Sequence, residues 1–107
     1  MKTIKRDELK AILDRGEAIT LLEALPEKYY SAGHLPGARN FPHDQVATLA
    51  PKLLGDKGAN VVVYCASETC ENSTLAAREL EALGYGSVRV YVDGKKDWEA
   101  AGFPLER

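Results

Sequence analysis

Two cysteines, Cys65 and Cys70, stand five positions apart in this chain. Cys65 directly follows Val61-Val62-Val63-Tyr64, an unbroken apolar run. A thiol in that position has two readings. Free cysteine is among the most buried residue types and can simply close a strand. Alternatively, the loop Ala66-Ser67-Glu68-Thr69-Cys70-Glu71-Asn72 wraps the sulfur. Its backbone N–H groups, with the N-terminus of a following helix, would then point at an anion in the middle. Such surroundings lower a thiol's pKa, and the thiolate is the form that does nucleophilic sulfur chemistry.

Cys70 is either a tolerated loop residue or a resolving thiol. In the second role it attacks a persulfide or sulfenic acid on Cys65 and forms a disulfide. That requires the two Cα atoms to come within about 7 Å. The reverse assignment, Cys70 as primary nucleophile, lacks the strand-end position. Ser67 and Ser73 are candidate hydroxyl donors to a bound sulfur, or caps of the loop and helix. His34, His43 and the cysteines do not have zinc-finger spacing, so no metal is expected. Asp93 and Asp97 read as turn and helix-start residues, and Tyr29, Tyr30 and Tyr91 as packing.

The elements that must position these residues alternate. Leu9, Ile12 and Leu13 recur at helical spacing ahead of Gly16, which predicts a helix over Arg6 to Arg15. Ala18 to Leu22 reads as a buried strand. Pro26 opens a short helix through Tyr30. A turn-rich stretch from Gly33 to Ala38 leads to a brief strand near Arg39–Phe41. Asp44 to Leu54 reads as a helix interrupted or bent at Pro51. Val61–Tyr64 lacks polar alternation, the pattern of a central parallel strand covered on both faces. Ala76, Leu80 and Leu83 mark a helix face, with Asn72 or Ser73 as N-cap and Gly84 as stop. Val88–Val92 is the next strand. Asp93-Gly94 turns the chain into a last helix, Lys96 to Ala101. Strands alternating with helices indicate an α/β sheet flanked by helices. In such sheets, sites form at the carboxyl ends of strands, where Cys65 sits.

Composition bounds the function. The 107 residues, 45% hydrophobic and 28% charged, suit one globular domain spanning 1–107. A domain of this size buries roughly two-thirds of its unfolded surface. The net charge of −2, with no basic stretch longer than Lys95-Lys96, argues against nucleic acid as partner. No apolar run approaches the ~20 residues of a membrane span. The start, Met1 to Asp7, turns acidic and helical at once and carries no secretory signal, so a cytoplasmic protein is expected.

Three blocks carry a family resemblance. Gly33-His34-Leu35-Pro36-Gly37-Ala38-Arg39-Asn40-Phe41-Pro42 resembles the "GHIPGAxNxP" signature of rhodanese-like domains. Val62-Val63-Tyr64-Cys65, followed by Ala76-Ala77 and Leu83-Gly84-Tyr85, resembles that family's active-site strand, loop and helix. Asp93-Gly94 through Trp98 to Pro104 resembles its closing "GGxxxWxxAGxP" segment. The blocks come in the family's order and span nearly the whole chain. The resemblance implies a three-layer rhodanese fold, a mainly parallel five-stranded sheet between helices. It also implies sulfurtransferase chemistry without metal or organic cofactor. Cys65 takes the nucleophile position and would carry sulfane sulfur as a persulfide, passing it to a thiol or other nucleophile. The implied partners are a small sulfur donor or a persulfide-bearing protein, and a thiol acceptor. Residues 66–73 (Ala66, Ser67, Glu68, Thr69, Cys70, Glu71, Asn72 and Ser73) would form the active-site loop.

The sequence also departs from the family. Many active members carry "DVR" after the second strand, where this chain has Glu23-Ala24-Leu25. The missing Arg predicts loss of a buried ion pair. The loop is about two residues longer than the common form. Cys70 stands where that form has Arg, and Glu71 where related phosphatases have it. Without an Arg fork, bidentate phosphate binding is not expected. Asp93 replaces the first Gly of the "GG" pair. Glu68 and Glu71 make the loop acidic. Two charges ~4 Å apart at an effective dielectric of ~20 interact by about 4 kcal/mol, and less when exposed. If inward-facing, these carboxylates oppose thiosulfate; if solvated, their effect is small. The contrasting readings are a non-catalytic binding or regulatory module, and a thiol redox switch using Cys65 and Cys70.

Overall fold

The computed structural model describes residues 2–107; the part of the chain-start expectation that falls on Met1 lies outside the described residues. The elements, in chain order, are β1 (Lys2–Thr3), α1 (Arg6–Asp14), β2 (Thr20–Glu23), α2 (Glu27–Ala32), β3 (Arg39–Asn40), α3 (Val46–Leu53), β4 (Val61–Tyr64), α4 (Asn72–Ala82), β5 (Val88–Tyr91) and α5 (Gly94–Ala100). A single 3₁₀ turn, His43–Gln45, precedes α3. The strands form one five-stranded sheet in the order β1-β5-β4-β2-β3, and every pair is parallel. The fold class read from the sequence is therefore present.

Strand period decides what each layer buries. Side chains alternate across a strand, so the uninterrupted β4 run serves two cores. Val61 and Val63 pack with Leu22, Ala76, Ala77 and Leu80 on the α3/α4 side. Val62 and Tyr64 pack with Leu9, Ile12, Tyr91 and Trp98 on the α1/α5 side. All four β4 residues are buried.

Several boundaries differ from the sequence reading. The second strand begins at Thr20 and includes Glu23. β1 has no sequence signal; it exists because Lys2 and Thr3 pair with Arg89 and Val90 at the sheet edge. Pro26 is the N-cap of α2 rather than its first residue. Asp44 belongs to the 3₁₀ turn, and Pro51 sits inside α3 close to its end, where the missing N–H leaves only the Ala47 carbonyl without its helical partner. Glu71, not Asn72 or Ser73, is the N-cap of α4. β5 ends at Tyr91, one residue before Val92. The last helix starts two residues earlier than expected, at Gly94, with Asp93 as its N-cap. Asp93 has φ −67°, an ordinary helical value, so nothing at that position requires glycine.

Candidate functional site

Cys65 lies at the carboxyl end of the central strand, buried at 1% exposure. Tyr64 faces the α1/α5 layer, so the next side chain turns toward α4. There the Ser73 hydroxyl, itself buried, lies 3.6 Å from Cys65 Sγ. Ser73 sits in the first turn of α4, inside the helix rather than at its cap. Its hydroxyl is placed to donate to the sulfur.

The loop folds back as the resolving role requires. The Cys70 N–H donates to the Ser67 carbonyl, which closes a tight turn. That turn brings the Cys65 and Cys70 Cα atoms to 6.4 Å, and the two sulfurs are joined as a disulfide. In this closed state the Cys70 carbonyl oxygen lies 3.4 Å from Cys65 Sγ. The Cys70 amide is committed to Ser67 and its carbonyl faces the sulfur. The expected convergence of loop N–H groups on the sulfur thus does not extend to Cys70 here. Thr69 and Ser67 share a hydroxyl–hydroxyl hydrogen bond of 3.0 Å. Glu68, Glu71 and Ala66 are exposed, and Asn72 is half-buried. The two loop carboxylates are therefore the solvated case. Glu68 also lines a surface cleft of ≈ 320 Å³ with Asp93, Asp97 and Lys96.

The base of the loop is stitched to the start of α5. The Lys95 and Lys96 N–H groups donate to the carbonyls of Cys65 and Ala66, both at 2.9 Å. This approach demands glycine at position 94. Gly94 has φ +73°, and a Cβ there would stand 2.7 Å from the Cys65 carbonyl oxygen and 2.9 Å from Ser67 N.

The ion pair predicted to be lost with the missing Arg is instead made by another residue. Glu23 pairs with Tyr64 in the β2–β4 register, so both side chains face the α5 layer. The Tyr64 hydroxyl donates to Glu23 Oε1 at 2.7 Å and accepts from the Leu35 N–H at 3.0 Å. Lys95 Nζ reaches the same Glu23 oxygen at 2.9 Å and also donates to the Tyr29 carbonyl. Glu23 is fully buried and the Lys95 side chain is 13% exposed. Glu23 Oε2 has no hydrogen-bond partner among the described residues. Burial and the adjacent Glu23 charge push the Tyr64 hydroxyl pKa well above that of a free tyrosine. Sequence reasoning missed Lys95. One of two adjacent lysines in a charged turn, 72 positions from Glu23, gave no sign of its partner.

Other residues settle more simply. His34 donates through Nδ1 to the Tyr30 carbonyl at 3.0 Å and stacks on the Tyr30 ring. It therefore supports the turn that follows α2. Tyr30 and Tyr91 do more than pack. Tyr30 donates to the Ala38 carbonyl, and Tyr91 donates to Asp97, which also pairs with Arg6. Among the described residues, no three His, Cys, Asp or Glu side chains gather as a metal site. Among those residues, too, no helix is long and apolar enough to cross a membrane.

A parallel sheet with a strand-end cysteine heading a loop between sheet and helix defines the rhodanese-like class. The family profile described as a rhodanese-like domain matches residues 5–101, and the chain belongs to that family. Over 96% of its length the chain is 35% identical to an HTH-type transcriptional regulator of Mycobacterium tuberculosis, covering 44% of that protein. It is 26% identical over 89% of its length to a candidate sulfur carrier protein of Bacillus subtilis, covering 49% of it. The chain thus spans about half the length of these curated relatives. Among solved structures, the rhodanese-like domain of Anabaena Alr3790 superposes with a TM-score of 0.88 at 29% identity, over 99% of this chain and 79% of that one. A human single-domain sulfurtransferase shares the fold at a TM-score of 0.79 and 20% identity, over 94% of this chain and 96% of that one.

Proposed function

We propose that this chain is a sulfurtransferase domain in which Cys65 carries sulfane sulfur as a persulfide and passes it to a thiol or another nucleophile. The observation that carries this reading is the setting of Cys65. It ends the central parallel strand, its carbonyl is pinned by the start of α5, and a buried serine hydroxyl meets its sulfur. In the reduced protein a thiolate there accepts a hydrogen bond from Ser73, which favours the charged form. Residues 66–73 enclose the sulfur and form the substrate side of the site. The donor is a small persulfide or a persulfide-bearing protein, in a reducing compartment such as the cytoplasm. Neither metal nor organic cofactor enters the chemistry. Thiosulfate is the poorer donor, because the loop itself offers no cation to a dianion: no Lys or Arg lies between Cys65 and Arg78, and the solvated Glu68 and Glu71 add little either way. Steady-state assays should give low turnover and a high KM with thiosulfate relative to a small persulfide.

The pKa of the Cys65 thiol, read by pH-dependent alkylation of the reduced protein, tests the core of the reading. It should lie clearly below the free-thiol value of ~8.5. Ser73→Ala should raise it by about one unit, the equivalent of ~1.4 kcal/mol for one lost hydrogen bond to the thiolate. A pKa at or above the free value in the wild-type chain points to the second reading, a non-catalytic regulatory module. The likeness to a transcriptional regulator favours that alternative.

A further inference from the structure

We infer that the chain has a second activity, the intramolecular reduction of its own persulfide to hydrosulfide, with Cys70 as the reacting thiol. This inference rests on the carrier reading of Cys65. The turn made by the Cys70 N–H and the Ser67 carbonyl sets the two Cα atoms 6.4 Å apart, inside the range a disulfide spans without backbone movement. The bond in the structure joins Cys70 to Cys65 Sγ itself. In a persulfide that atom is the inner sulfur, the one whose attack expels the outer sulfur.

The step balances without an outside oxidant. The Cys70 thiol gives up its proton and its sulfur attacks Cys65 Sγ of the persulfide anion. The Cys65–Cys70 bond forms and the bond to the outer sulfur breaks. The outer sulfur leaves with the electron pair and takes the Cys70 proton as hydrosulfide. The sulfane sulfur is reduced to sulfide, and the two cysteines are oxidised to the disulfide.

Exposure decides how the cycle resets. Cys65 is buried, whereas Cys70 is partly exposed. An incoming thiolate therefore attacks the Cys70 sulfur and expels Cys65 as the thiolate that accepts the next sulfur. The mixed disulfide left on Cys70 is then resolved by the second thiol of a dithiol reductant. The activity accordingly consumes a cellular dithiol, and a dithiol–disulfide reductase must follow it.

The test compares reduced wild-type, Cys70→Ser and Cys65→Ser chains, freed of reductant and incubated with excess thiosulfate. Thiosulfate delivers sulfane sulfur without adding a thiol. Hydrosulfide release and intact mass are read together, and inorganic polysulfide serves as a second donor in the mass measurement. Wild type should release close to one hydrosulfide per chain, end with no free thiol and retain no extra sulfur. A dithiol should restore a second round. Cys70→Ser should gain one sulfur atom, hold it and release nothing until a thiol is added. Cys65→Ser should do neither.

A wild-type chain that keeps the sulfur, on either cysteine, overturns the inference, as does Cys70→Ser releasing hydrosulfide at the wild-type rate. The first outcome leaves the carrier reading standing if Cys70→Ser still loads. Failure of Cys70→Ser to load from both donors overturns the carrier reading, and this inference with it.

Discussion

Lys95 brings its ammonium 2.9 Å from a carboxylate that is fully buried in the sheet. Glu23 has one oxygen shared by Lys95 and the Tyr64 hydroxyl and one without a partner among the described residues. Removing one member of such a pair strands the other charge in a poorly solvated interior. Lys95→Met should therefore cost about 3–5 kcal/mol in urea unfolding. Adding Glu23→Gln to it should recover much of that loss, because glutamine carries no charge and still accepts from Tyr64. A single-mutant cost under about 1 kcal/mol would mean that the pair is solvated in solution. The pair lies beneath the loop, one residue from Cys65 through Tyr64 and directly behind the Lys95 N–H that holds the Cys65 carbonyl. It supplies the charge partner that the leucine at position 25 cannot.

At the scale of elements, α5 is the part that joins both sides of the site. Its first residues hold the loop, and Asp97 accepts from Tyr91 on β5 and from Arg6 on α1. The pKa of Tyr91 is raised by burial and by its hydrogen bond to Asp97, and that of Tyr64 by burial and the Glu23 charge. Both hydroxyls keep their protons in the folded chain at a pH where the unfolded chain begins to lose them. Their stabilisation is fully present below the unfolded value of ~10 and is lost as pH rises above it. Stability measured by urea unfolding should fall above about pH 10, by up to ~2.7 kcal/mol per unit for the two together. Replacing either tyrosine by phenylalanine should about halve the slope; an unchanged slope would assign the loss to other groups. Elements differ in how far local sequence defines them. The β4 run and the Ala76–Leu80 spacing of α4 are legible, because burial on two faces and helical period leave local marks. β1 is illegible, because two exposed residues become a strand only by pairing with β5.

Across the whole molecule, the chain closes on itself beyond the family match. Residues after 101 pack back on the fold. His34 and Glu106 exchange two backbone hydrogen bonds, the Glu106 carboxylate accepts from the Gly37 N–H, and Trp98 donates to the Pro104 carbonyl. Removing residues 104–107 should cost about 4 kcal/mol, at ~1 kcal/mol for each of these four bonds. It should also expose Trp98, now fully buried, to fluorescence quenchers. An unchanged urea midpoint and quenching rate would mean that this segment is not docked in solution.

The sequence by itself determined the α/β order, the buried central strand, the cysteine at its end and the second cysteine five positions on in the same loop. These are local properties: apolar runs, helix period, glycine stops and short spacings. The requirement for Gly94 was visible as a turn, but its cause was not, since the Cys65 carbonyl it admits belongs to a distant strand end. Only the tertiary structure decided that Lys95 partners Glu23, that Ser73 meets the sulfur from inside α4, and that the loop closes Cys70 onto Cys65. Each depends on which face a side chain takes once the sheet register and the helix packing are set. A one-residue shift of β2, such as that between the expected and observed boundary, decides whether an acid belongs to a loop or to a buried strand.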